Sequence, residues 1–195
     1  MKIVLVIHGY PMRYNAGSEV YTQGLAHALA ERHEVHVFTR QQNKFLPDYT
    51  LSEEIDSADP RVTLHTINLT QTLDQYRHIG VDRLFGKLLD QLRADIVHIG
   101  HLNHLSTSLV FEAHKRDIPI IFTLHDYWLM CPQDSSFRFA PKIQLNSSLY
   151  AMDKITGSVR NGAMRVTFQA LPKKKKWTLL IGPIGCRDVW HIYAR

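Results

Sequence analysis

Short, unbroken apolar runs alternate with helical patterns between residues 1 and 132, and few architectures accommodate that order. Ile3 to Ile7 is a continuous apolar stretch, the pattern of a strand buried on both faces. Residues 8–17 hold Gly9, Pro11, Asn15 and Gly17 and predict a loop. From Ser18 to Glu31, the residues Val20, Tyr21, Leu25, Ala28 and Leu29 recur at helical spacing. Val35, Val37 and Phe38 predict a second strand, and Val62 to Leu69 a third, rich in β-branched residues. Val81, Leu84, Phe85, Leu88 and Leu92 share one face of a long helix. Asp95 to Ile99 predicts a fourth strand, Leu105 to Lys115 a helix, and Ile118 to Leu124 a fifth strand. Pro119 stands at the start of that strand, where a missing N–H donor is tolerated.

Strand and helix in alternation, with short connections, predict an α/β fold: a Rossmann-like, doubly wound parallel sheet with helices on both faces. Such sheets bind ligands beyond the C-terminal ends of their strands. The loops at 8–18, 99–105 and 125–132 are therefore the places to look for a site. After Cys131 the rhythm fails. Residues 133–176 show no sustained period of 2 or 3.6, and Trp177 to Ile184 predicts one further strand.

Charge divides the chain at the same place. Residues 1–132 carry 12 Lys and Arg against 15 Asp and Glu, a net −3. Residues 133–195 carry 11 Lys and Arg against 3 Asp, a net +8, including the run Lys173-Lys174-Lys175-Lys176. We expect one Rossmann-like domain over 1–132 and a divergent basic tail over 133–195, for which the sequence leaves both a folded and a disordered state open. A basic tail suits nucleic acid or an anionic membrane surface. Few aromatics interleave with these cations, so no nucleic-acid partner is expected, and membrane contact would be peripheral. The two cysteines, Cys131 and Cys186, form no disulfide framework. The N-terminal apolar run is too short for a signal peptide, and no stretch approaches the roughly 18–20 apolar residues of a membrane span. A cytoplasmic protein is expected.

Candidate site residues come from the three loops. Gly17 and Ser18 open the first helix, where free N–H groups and the helix dipole favour a phosphate. Ser18 or Asn15 is expected to cap that helix. Gly-x-Gly-x-x-Gly and Gly-Lys-Ser/Thr are both absent, which argues against a dinucleotide enzyme and a P-loop nucleotidase. His98, His101 and His104 are spaced by three residues, not by the four of a helical zinc pair, and no metal is expected. His98, His101 and Asp126 are expected to contact substrate, with His98 packed near the strand end and His101 and His104 lining a polar cleft. His125 leaves the fifth strand where an imidazole can hydrogen-bond a substrate hydroxyl or phosphate.

Three segments together resemble the family-4 glycosyltransferases. The first is Lys2-Ile3-Val4-Leu5-Val6, with Ala16-Gly17-Ser18-Glu19-Val20-Tyr21 and His33-Glu34-Val35-His36-Val37-Phe38-Thr39. The second is Ala94-Asp95-Ile96-Val97-His98-Ile99-Gly100-His101, followed by Leu105-Ser106. The third is Pro119-Ile120-Ile121-Phe122-Thr123-Leu124-His125-Asp126-Tyr127-Trp128, ending in Cys131-Pro132.

The resemblance implies a GT-B fold, two Rossmann-like halves facing across a cleft, of which residues 1–132 would be the acceptor-side half. It implies retaining transfer of a sugar from a nucleotide-sugar co-substrate, with no cofactor, to an acceptor glycan, lipid or small molecule. Gly17 would lie on the donor diphosphate side, with Ala16 standing where the family has a first glycine. His125 would contact the acceptor. The family's donor-binding Glu-x7-Glu motif has no counterpart, because no Glu follows Glu112. A chain cut short or frame-shifted soon after Pro132 is therefore expected, inactive alone or dependent on a separate donor-binding partner chain. A basic-tailed nucleic-acid or lipid-binding protein is the alternative.

Overall fold

The computed structural model describes residues 1–70 and 77–125 fully, and the backbone of 152–160, 163–170, 176–183 and 190–194. The chain divides into two compact units, Met1–Ile121 and Phe122–Arg195.

In the first unit β1 (Lys2–Val6) is flanked by two parallel neighbours, β2 (Glu34–Gln41) and β5 (Ile96–Ile99). That position explains the unbroken apolar run, since a strand with a neighbour on each side and helices on both faces has no wet face. Beyond β2 lies β4 (Val62–Asn68), parallel to it, and then β3 (Leu51–Ile55), antiparallel to β4. The order is β3-β4-β2-β1-β5, with β6 (Ile120–Leu124) next to β5. Between β1 and β5 the winding reverses direction, which makes that gap the topological switch point.

Helix α1 (Gly17–Ala30) covers one face through Ala26 and Ala30, small residues that let it sit close to Ile3, Leu5, Ile7, Val35 and Val37. Helix α2 (Ile79–Leu92) uses Val81, Phe85, Leu88 and Leu89. The Phe85 ring meets Phe38 of β2 at 5.0 Å between centroids, an offset that suits the aromatic quadrupoles. Helix α2 ends at Arg93 in the left-handed conformation, φ 51°. The short α3 (Leu109–His114) lies against α2, where Arg116 grips Asp90 at 2.7 Å and Glu112 at 3.0 Å. No helix among the described residues is long and apolar enough to cross a membrane.

The expected strands and helices of this unit are all present, with α3 shorter than the sequence suggested. β3 was not anticipated: Leu51-Ser52-Glu53-Glu54-Ile55 has apolar residues only at its ends. It is an edge strand, held by pairing with β4 rather than by a buried face.

The second unit holds an antiparallel meander. β7 (Met152–Arg160) pairs with β8 (Ala163–Ala170), β8 with β9 (Lys176–Pro183), and β9 with β10 (Trp190–Ala194). The expected strand over 177–184 corresponds to β9. The other three were not singled out in the sequence. Their signal is local: Met164, Val166 and Phe168 alternate with Arg165, Thr167 and Gln169, a period of 2 that a long window averages away.

Candidate functional site

Residues after β1 and β5 meet at the switch point. His8 follows β1, and its ring centroid lies 4.6 Å from that of His101, which follows β5. The chain reaches this arrangement through Gly100, whose N–H donates to Val6 O at 2.8 Å. A Cβ on Gly100 would lie 3.2 Å from Thr22 Oγ1 and 3.3 Å from Ile7 Cδ1, so a side chain there would press β5 away from α1.

His8 Nε2 is 3.1 Å from Glu19 Oε1, in the first turn of α1. The carboxylate is buried, at 3% exposure, and its other oxygen accepts a hydrogen bond from Ser18 Oγ at 2.8 Å. The helix N-terminus favours a negative charge in that turn. Hydrogen bonding to Glu19 places the His8 proton on Nε2 and leaves the Nδ1 lone pair available. Among the described residues, Nδ1 is buried with no hydrogen-bond partner. Burial, then His101, pushes His8 down to about 4; Arg40 and His104 act in the same direction, and Glu19 opposes them. At neutral pH His8 is therefore an uncharged acceptor held by a carboxylate.

Arg40, at the end of β2, carries the second set of unmet bonds. It is 6% exposed, and its Nε and Nη1 are buried with no hydrogen-bond partner. Its guanidinium carbon lies 6.0 Å from the centroid of the Tyr14 ring. Burial lowers its pKa.

The loop that carries His8 and Tyr14 is fixed from behind. Tyr10 Oη donates to Asp56 Oδ2 at 2.8 Å, and His27 Nε2 meets the same oxygen at 2.9 Å. The Asp56 carboxylate is desolvated, yet these bonds and the Ala58 N–H hold it below the ordinary range. Tyr14 packs against Gly9, where a Cβ would come within 2.8 Å of the ring's Cγ.

The sequence-predicted residues divide unevenly. His101 is in the cluster, with Nδ1 accepting from the Asn103 N–H at 3.0 Å. His104 adds its field to His8 and takes the left-handed conformation, φ 56°, uncommon outside glycine. His98 is buried within β5, opposite Leu5, one turn of the pleat before the strand ends. Ser18 acts through Glu19. It does not cap α1, and neither does Asn15. The N-cap is Ala16, extended at φ −88° and ψ 176°, with no side-chain cap bond, so alanine there carries no strain. A Cβ on Gly17 would meet nothing within 4 Å, so glycine is not required at that position. His125 follows β6 and belongs to the second unit. Asp126 lies outside the described residues. His8, Glu19 and Arg40 were missed. Their signal was polar chemistry at a predicted strand end or helix start, next to loops already singled out. Among the described residues, no three His, Cys, Asp or Glu side chains gather as metal ligands.

The family described as Glycosyltransferase Family 4 matches residues 15–166. The match runs past residue 132, where the resemblance was expected to stop. No curated protein sequence matches the chain significantly. Similar solved structures include "Sucrose-phosphate synthase" from Thermosynechococcus elongatus, 18% identical with a TM-score of 0.44, covering 69% of this chain and 35% of that one. They also include "Trehalose-6-phosphate from E. coli bound with UDP-2-fluoro glucose", 20% identical with a TM-score of 0.39, covering 60% of this chain and 31% of that one. The chain thus spans about a third of the length of either. With more than half of its residues matched by the family, the chain belongs to glycosyltransferase family 4.

Proposed function

We propose that this chain supplies the acceptor-side surface of a glycosyltransferase that moves a sugar from a nucleotide-sugar donor, with retention, to a hydroxyl of a glycan, lipid or small molecule. The observation that carries the reading is His8 at the switch point, with Nε2 tied to Glu19 and Nδ1 buried without a partner. An acceptor hydroxyl donating to Nδ1 would fill that vacancy and be oriented by a ring that Glu19 keeps from turning. Orientation of this kind supplies much of what such a site contributes to rate. The donor's Glu-x7-Glu is not among these residues, so the donor side would come from another segment or a partner chain. We place the protein in the cytoplasm, where nucleotide sugars are made.

The test is acceptor binding without turnover. Sugar acceptors should bind the purified chain in saturation-transfer NMR, while UDP-, GDP- and ADP-sugars offered with them stay intact. His8→Gln keeps a donor for Glu19 and removes the ring acceptor, and it should abolish the acceptor signal. Transfer that survives repurification and disappears in His125→Ala would sink the half-site reading. Undiminished binding in His8→Gln would remove His8 from it.

A further inference from the structure

Arg40 is the described cation whose burial is hardest to explain without a ligand. A guanidinium stripped of water is stabilised by a carboxylate, by acceptor oxygens or by a bound anion. Arg116, partly buried, follows the first course, with an Asp90 carboxylate oxygen at 2.7 Å. Arg40 does not. It makes no ion pair among the described residues, and two of its nitrogens are buried with no acceptor. Three features of the surroundings point to an oxyanion. Arg40 ends a parallel strand beside the switch point, at the edge where such sheets bind ligands. Tyr14 also lines an open groove with Arg13, Asn43 and Lys44, which adds two cations, although Arg13 already reaches Glu54 at 3.6 Å. The guanidinium fork matches the geometry of phosphate oxygens, and bonds between such partners are among the strongest a protein makes.

We propose that Arg40, behind the Tyr14 ring and next to His8, receives the phosphate of a phosphorylated acceptor. The Tyr14 ring covers the guanidinium and swings aside on binding, so that the phosphate takes the vacant bonds of Nε and Nη1. Arg40 lies one strand outward from His8, on β2 rather than β1, so the phosphate sits beside the reacting hydroxyl and not at it. The word acceptor rests on the proposed function; the phosphate site itself does not.

The test is binding, read without any transfer reaction. Inorganic phosphate, glucose 6-phosphate and UDP are titrated separately into the full chain, followed by thermal unfolding and by the Nε–H resonances of arginine. Phosphate and glucose 6-phosphate should raise Tm, move one arginine Nε–H signal, and compete for one site. Arg40→Met should weaken both by at least ~tenfold, the loss expected when a charge-assisted hydrogen bond is removed. UDP binding should be unchanged in that variant. If Arg40→Met does not fold, the arginine signal of the unaltered chain decides: no Nε–H shift at saturating phosphate overturns the site. Phosphate binding that persists in a folded Arg40→Met also overturns it, and so does Arg40 dependence confined to UDP, which would make this a donor contact. Absence of glycosyl transfer leaves all of these readings intact, so the two proposals fail separately.

Discussion

Two pairs of adjacent histidines sit in the first unit, and they are completed in opposite ways. On the β2–β4 flank, His36 Nδ1 meets His65 Nε2 at 3.1 Å, inside the sheet. His36 Nε2 lies 3.2 Å from Glu34, His65 Nδ1 faces the exposed Glu53 at 3.7 Å, and among the described residues neither ring has a buried nitrogen left without a hydrogen-bond partner. Lys2 continues the row, 3.0 Å from Glu34. The chain closes this network by itself. At the switch-point edge, His8 and His101 are in ring contact, yet His8 Nδ1 and two nitrogens of Arg40 have nothing to bond among the described residues. Buried polar groups are normally satisfied, because each unmet bond costs stability. A closed network is explained by folding alone, whereas an open one calls for something outside the chain. That contrast, rather than histidine content, separates the structural cluster from the functional one.

The largest expected effect is on the open side and depends on pH. His8 is held at about 4 against an ordinary 6.5, so below pH 6.5 the unfolded chain binds the proton more readily than the folded one. The stability that this difference protects is complete above pH 6.5 and is lost as pH falls towards 4. The full loss is about 3 kcal/mol, from the usual conversion of a pKa shift into free energy. His65, lowered by burial and by His36, acts in the same direction, while Asp82, raised by burial, acts against it. Subtracting the His8→Gln profile from the unaltered one isolates His8. Urea midpoints measured from pH 7 to 4 should show a flatter profile in the variant, and parallel profiles would mean that His8 is hydrated rather than buried.

Closure on the other side predicts non-additivity. His36→Leu leaves His65 Nε2 buried without its partner and should cost about 2 kcal/mol. His36→Leu with His65→Leu removes both polar rings and should cost less than the two single changes summed. Additive losses would show that the two rings are neighbours without being coupled.

How much of this was legible follows the same division. The parallel sheet was readable because β1 and β5 must be apolar on both faces, a constraint written into consecutive residues such as Ile3 to Ile7. β3 was not, since an edge strand like Leu51–Ile55 owes its existence to β4 rather than to its own pattern. His101 was readable from its place after a strand. His8 was not distinguished from any other loop histidine, because its significance lies in Glu19, eleven residues on, and in a bond that is not made. Arg40 looked like the polar end of a strand. An unmet hydrogen bond has no sequence signature; it appears only when every nearby group has been placed.

Arg40 gives the comparison its sign. A buried guanidinium with two nitrogens unmet among the described residues is a burden to the ligand-free protein, so Arg40→Met should stabilise it, by about 1 kcal/mol, where His36→Leu destabilises it. Denaturant unfolding in phosphate-free buffer checks the direction. A destabilised Arg40→Met would mean that packing of the Arg40 stem outweighs its desolvation.

The smallest effect belongs to the outer end of the closed row. Lys2 and Glu34 are 42% and 51% exposed, so water competes for both charges and salt screens them. Lys2→Met should therefore change stability by no more than about 0.5 kcal/mol. The backbone N–H of Lys2, which donates to Asp95 at 2.7 Å, survives the substitution. A much larger loss, reduced by salt, would show that the row from Lys2 through Glu34 to the two histidines acts as one unit. The closed network would then extend to the surface, and its burial would matter less than its continuity.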